Sequence, residues 1–454
     1  MYKKLRKCGV LNLNCEVKIL SIEMQNIKNV RYGKVNFDLN NDNILDAQVV
    51  GFYGQNGSGK TAVVEALSIL KSLLNGQKLP GKNQRLIYEG EKKLSLEFEF
   101  MLQQDTNWFK AKYKVSLEYR EDKMVVQMES VSTKEKSYRK MFHYENDERK
   151  PIKLSRKPKQ EDEILLKGMK LLSDQIEGSL FFGKIVTSHA DRLFDGPELV
   201  IYRALRDQLS KNLLVIKNLQ ESVFPSYLFD DLSSKSMENS TFDINHPVSL
   251  SKEHYKNLAN VIERNNVVLS AIIPGLKVQL KNMGTTTLTN GEEGVRAEFI
   301  SIKEDKILPL KVESAGNLKL FAVTTSLISA FHNPSTIVVI DKFDEGVFEY
   351  LLGELIEIFQ NHSKGQLIFT SHNLRVLEKL SPQSVWFTTV NENKRYIKLS
   401  GIQKNNDMRN VYLRAILVGG QSEFLYEETN PIDIVRSFIE AGLQDGDSNS
   451  TKPI

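Results

Sequence analysis

Several things are missing from this sequence, and each absence narrows the reading. The 454 residues contain two cysteines, Cys8 and Cys15. Two thiols seven residues apart make neither a disulfide framework nor a four-ligand zinc site, and they suit a reducing compartment. No apolar run reaches about 18 residues, so no membrane-spanning helix is expected. In the opening MYKKLRKCGVLNLNCEV polar residues interrupt any apolar core, so no signal peptide is read and a cytoplasmic location is expected. There are no internal repeats, and no long heptad arm that would make a coiled coil. An N-K-x-D guanine motif is also lacking, which disfavours GTP. Net charge is only +4, but residues 131–160 hold ten Lys or Arg against four acids. That segment, interleaved with Tyr138, Phe142 and Tyr144, reads as a basic loop. Either it is simply solvated, or it tracks a DNA or RNA backbone.

The composition is that of an ordinary globular protein, 41% hydrophobic and 26% charged, with length for roughly two to four compact units. Strands are expected at 17–24 and 34–38, joined by a turn at Tyr32–Gly33. The run AQVVGFY enters GQNGSGKT, and TAVVEALSILKSLL follows as a helix stopped at Asn75–Gly76. From 94 onward the period becomes two. Leu94, Leu96, Phe98 and Phe100 share a face, as do Ala111, Tyr113, Val115, Leu117 and Tyr119, then Met124, Val126 and Met128. Three such runs predict an antiparallel sheet with one wet face. Helices are expected over 197–222 and 250–270, separated by the polar DDLSSKSMENS. Strands return at 276–280 and 295–302, and a βαβ rhythm to about 390 predicts a parallel sheet. The tail from Gln444 reads as frayed.

GQNGSGKT, residues 54–61, matches G-x-x-x-x-G-K-[ST] in full, after a strand and before a helix. Gly54, Gly57 and Gly59 let the backbone wrap phosphates while the N–H groups of Gln55, Asn56 and Ser58 point inward. The helix start adds its positive dipole end. Lys60 is expected on the β- and γ-phosphates of ATP, and Thr61 on Mg²⁺. STIVVID ends a buried strand in Asp341, the acid such a loop needs for its metal. LIFTSHN ends another strand in Ser371, His372 and Asn373, where ligands of an open α/β sheet sit.

On IKNVRYGKVNFDL, GQNGSGKT, VESAGNLKLFA, IVVID and LIFTSHN, the chain resembles ABC-type ATPase heads of the SMC, RecF and OLD kind. More narrowly it is similar to the AAA15 bacterial ATPases, including ATPase subunits of AbiL-type abortive-infection phage-defence systems. The resemblance implies an α/β ABC-type P-loop NTPase head with an antiparallel β subdomain and a mainly helical insertion. Its parts would be a head lobe at 1–130, a basic and helical insertion at 131–271, a second head lobe at 272–402 and an extension at 403–454. Ser314 and Gly316 stand where these proteins keep their signature motif, which binds the γ-phosphate of ATP held by a second subunit. A homodimer or higher oligomer around ATP follows. A Ser-x-Gly helix start is also an ordinary N-cap. His372 takes the place of the switch histidine. The family follows its Walker B Asp with a catalytic Glu, and here that position is Lys342, which accepts no proton. Asp344 or Glu345 would be the carboxylate to replace it, although Glu345 reads more readily as solvated. LVGGQSE at 417–423 imitates an ABC signature too late in the chain and is expected to be a turn. OLD-type nucleases carry a Toprim domain after the ATPase. The roughly 50 residues after the sheet are too few for one, so a nuclease or toxin effector would be a separate protein.

Overall fold

The computed structural model describes residues 15–37, 48–105, 107–134, 137–173, 176, 178–217, 223–225, 241–304, 306–402 and 407–447. Alternating hydrophobicity builds the first layer, a seven-stranded antiparallel sheet. Its order is Val30–Asn36, Cys15–Ile27, Lys93–Gln104, Asn107–Arg120, Lys123–Lys134, Tyr138–Glu145, Lys153–Leu154. Leu94, Leu96, Phe98 and Phe100 lie opposite Leu117, Val115, Tyr113 and Ala111, all buried. Met124 and Val126 continue that face. A register shift at Ser116/Leu117 leaves Met128 only half-buried.

Three sequence expectations change here. The basic segment 131–160 is not a loop: it completes one strand, forms the next two and reaches the helix Gln160–Leu171. A bulge between Val131 and Ser132 breaks the alternation that would have revealed it, and a boundary at 130 falls inside Lys123–Lys134. Several of its cations are engaged within the chain: Lys150 with Glu145, Arg139 with the Ser155 carbonyl, Arg156 with the Leu193 carbonyl. The first hairpin turns at Lys28–Asn29, with Lys28 at φ 52°. Tyr32 and Gly33 lie inside the second strand.

Helices 184–193 and 196–203 cover the buried face of this sheet. There Phe182 packs edge-on to Tyr113 and stacked with Tyr202, while Phe181 tilts against Phe142 and Phe194 and meets Tyr202 edge-on. Glu129 is fully buried beneath them, accepting from Tyr113 Oη at 2.6 Å and from the Leu180 and Phe181 N–H groups at 3.0 and 3.1 Å.

The second sheet has six strands in the order Tyr396–Ile397, Val385–Thr388, Gln48–Tyr53, Gln366–Thr370, Ile337–Ile340, Leu213–Ile216. All pairs are parallel except the first. The outermost strand is the third correction. A helix over 197–222 was expected, but it passes through a π turn at Ala204–Leu209 and gives way to Leu213–Ile216. A four-residue apolar run is compatible with either period, and pairing with Ile337–Ile340 decides it. The helix Lys252–Ile272 forms as expected, while the stretch DDLSSKSMENS lies outside the described residues. A four-stranded sheet from Val248–Ser251, Lys277–Thr287, Glu293–Lys303 and Lys306–Pro309 precedes the helix Ala315–His332. The helix Met408–Val418 ends at Gly419 and Gly420, with φ 75° and 86°, so LVGGQSE is a turn. Among the described residues no helix is long and apolar enough to cross a membrane.

Candidate functional site

The site assembles where the parallel strands end. Gln48–Tyr53 is buried along its whole length and releases the loop 54–59 at its C-terminal edge. Gly54 has φ 152° and Gly57 φ 76°, conformations that L side chains avoid. A methyl on Gly54 would run into Thr388 Oγ1, whereas one on Gly57 would meet nothing within 4 Å. Gly57 is therefore needed for backbone angle, and Gly54 for room as well. Ser58 Oγ closes the loop onto the Gln55 carbonyl at 2.7 Å. Tyr396 Oη donates to the Gly59 carbonyl at 2.7 Å.

Lys60 opens the helix Lys60–Leu74. Its side chain folds back over the loop and donates to the carbonyls of Gly54 and Gln55, both at 2.8 Å. Burial pulls its pKa down to about 8, against the opposing pull of Asp341. The next residue, Thr61, points its hydroxyl at Asp341, with Oγ1 3.3 and 3.2 Å from the two carboxylate oxygens across 280 residues of sequence. Thr370, ending the neighbouring strand, donates to Asp341 Oδ1 at 2.6 Å and accepts from the Lys342 N–H at 2.7 Å. The hydroxyls of Thr61, from a helix start, and Thr370, from a strand end, are thus both held on the Asp341 carboxylate at the end of a third element.

Lys342 and His372 line the same cleft, about 950 Å³, as Asn56, Gly57, Thr61 and Asp341. Tyr119 contributes to its walls from the other sheet, and Tyr88 from the connection that precedes Lys93–Gln104. Lys342 has φ 50°. Its ammonium, half exposed, lies 3.9 Å from Glu345 Oε2. The His372 N–H donates to Asp344 Oδ2 at 2.8 Å. Partial burial, then the charge of Lys60, hold the imidazole below its ordinary pKa. Asp344 is thus committed to the His372 backbone and Glu345 is exposed beside Lys342, so neither lines the cleft.

Ser314 and Gly316 are not brought to this cleft. Ser314 is exposed and caps the helix Ala315–His332, its Oγ accepting from the Asn317 N–H at 3.2 Å. Gly316 is buried so tightly against the Gly346 carbonyl that a methyl there would collide with it. Sequence reasoning passed over Thr370 and Lys319, and it offered Asp344 as a replacement base rather than as the partner of the His372 N–H. Thr370 was legible in LIFTSHN as a strand-end hydroxyl beside the Walker B strand. Lys319 donates to the Lys342 carbonyl, and to that of Glu345 at 3.4 Å, and nothing local in the sequence marks it.

The arrangement suits a hard cation carried on phosphates. Among the described residues no group of three His, Cys, Asp or Glu could hold a metal unaided. A magnesium ion taking one or two protein oxygens and completing its shell with phosphate and water needs no such cage. Thr61 and Asp341 are the two oxygens in position for it.

A family profile described as "AAA domain, putative AbiEii toxin, Type IV TA system" matches residues 49–378, a span that takes in the P-loop, Ser314, Asp341 and His372. None of the curated proteins matches the sequence. Among solved structures, the SmcHead bound to the C-winged helix domain of ScpA is 14% identical, with 84% of this chain and 98% of that one covered and a TM-score of 0.43. The SMC head domain from Thermotoga maritima is 12% identical over 84% of this chain and 99% of that one, TM-score 0.35. The recombination mediator RecF-ATPrS is 10% identical over 85% and 99%, TM-score 0.38. The chain belongs to this AAA-domain family, with the P-loop at the end of a mainly parallel sheet in an α/β fold.

Proposed function

We propose that this chain binds Mg·ATP in the P-loop cleft, dimerises around two nucleotides and hydrolyses them slowly. In this reading it is the regulatory ATPase of an abortive-infection system that controls a separate toxic effector, a nuclease or toxin. The observation that carries the nucleotide part is the approach of Thr61 Oγ1 to the Asp341 carboxylate at 3.2 Å, beside a glycine loop over which the Lys60 side chain folds. Lys60, freed from the carbonyls it now bonds, would reach the phosphates. Magnesium, when bound, neutralises phosphate charge, with Thr61 and Asp341 as its protein ligands. His372 would sense the γ-phosphate from its strand end. Ser314, exposed at its helix start, would complete the cleft of a second copy, with Gly316 packing that start against the loop after Asp341. The defence role is supported by the toxin–antitoxin description of the family and by the resemblance to AbiL-type ATPases.

Lys342 favours a second reading. A cation in place of the carboxylate base accepts no proton, and it would hold ATP while slowing its loss. A scaffold that keeps ATP intact and locks an oligomer around its effector is the limiting case. Multi-angle light scattering with ATP and magnesium tests the shared premise. The wild type is expected to double its mass, and Ser314→Arg to stay monomeric while binding ATP as well as before. A wild type that remains monomeric at saturating ATP contradicts the sandwich.

A further inference from the structure

One residue with no role so far joins the two halves of this proposed site. Lys319 sits one turn into the helix that Ser314 caps. Its ammonium donates to the carbonyls of Lys342 and Glu345, both in the loop leaving Asp341. Beside it, Gly316 packs against the Gly346 carbonyl with no room for a Cβ. The start of this helix and the loop 342–347 therefore meet through an ammonium clamp and a backbone-to-backbone contact.

The loop needs such a clamp. Lys342 sits at φ 50°, a left-handed conformation that is unfavourable for a non-glycine residue and persists only where its surroundings enforce it. Its N–H is held by Thr370 Oγ1 at 2.7 Å. Its carbonyl accepts from the Glu345 N–H at 3.0 Å and from Lys319. Two residues on, Asp344 accepts from the His372 N–H at 2.8 Å. The contacts form an unbroken chain: helix start, Lys319, Lys342–Glu345, Asp344, His372.

We propose that Lys319 is a positioning residue that transmits occupancy of the helix start at Ser314 by a second subunit's nucleotide to Lys342 and His372 in its own cleft. The inference rests on the ATP-sandwich reading above. It makes each cleft responsive to its neighbour, because one helix start would read the partner's phosphate while its clamp sets the loop facing the chain's own. Lys319 touches neither nucleotide and acts through the loop.

Hydrogen–deuterium exchange of the full chain, with and without ATP and magnesium, tests this without requiring turnover. In the wild type, ATP is expected to slow exchange in peptides covering both 54–61 and 342–347. Lys319→Met keeps the aliphatic stem and removes the ammonium. It should leave protection of 54–61 within twofold of wild type and reduce that of 342–347 by about tenfold or more, and Lys319→Arg should restore it. A general loss of structure would move both peptides together and would not be rescued by Arg. Lys319→Met with wild-type protection of 342–347 overturns the proposal. So does a wild type in which ATP protects 54–61 alone, although nucleotide binding then stands. If ATP protects neither peptide in the wild type, the nucleotide reading itself fails.

Discussion

Replacing Lys342 by glutamate is the perturbation that says most about the chemistry of this cleft. The exchange should cost little stability. The ion pair to Glu345 is 3.9 Å long between side chains 48% and 68% exposed, and such solvent-screened pairs contribute about 0–1 kcal/mol. Glutamate tolerates φ 50° no worse than lysine, since neither is β-branched. Nucleotide affinity should fall, because a positive charge beside the γ-phosphate becomes negative. At roughly 1 kcal/mol per unit charge at 4 Å in water, two units give about 2 kcal/mol, or near thirtyfold in Kd. The rate of phosphate release should move the other way. A positioned general base contributes about 10²–10⁴-fold, and the exposure of this side chain argues for the lower end. Single-turnover release from radiolabelled ATP, at protein concentrations above both Kd values, separates the two effects. An increase of about a hundredfold is expected. A release rate unchanged or lowered, with ATP demonstrably bound, refutes the assignment of position 342 to the base.

Two further outcomes follow from buried groups. Lys60 has its pKa pulled down to about 8, and phosphates would favour its charged form. Above that pH, ATP must recruit a proton to bind, so affinity should be flat below about pH 7.5 and then weaken by up to tenfold per unit. Calorimetry in buffers of different ionisation enthalpy at pH 8.5 would register the proton uptake, which Lys60→Ala should abolish along with measurable binding. Glu129→Ala should lower unfolding free energy by about 3–5 kcal/mol, because the Tyr113 hydroxyl and two buried N–H groups lose their acceptor. Urea denaturation reads that loss, and a change under 1 kcal/mol would contradict it.

What the sequence disclosed and what it hid divide along a physical line. The glycine loop, the apolar strand ending in Asp341 and the strand ending in His372 are local patterns, each written within about eight residues, and each appears where it was expected. The strand Leu213–Ile216 was hidden because four apolar residues after a helix satisfy the helical period as well, and only a partner across the sheet settles the matter. The hairpin through Tyr138–Glu145 was masked by a bulge and by the adjacent exposed Arg139 and Lys140. The clamp made by Lys319 was illegible for a third reason. It binds main-chain carbonyls, which every sequence offers at every position.

The central claim is that the P-loop and the distant strand ending in Asp341 serve one magnesium-bound triphosphate. A double-mutant cycle on ATP affinity, measured with magnesium and with EDTA, addresses it most directly. Thr61→Val and Asp341→Asn should each remove about tenfold or more of the affinity that magnesium confers, and the double variant should lose little beyond either alone. Magnesium-dependent binding that survives both substitutions, or losses that simply add, would mean the two side chains do not share an ion.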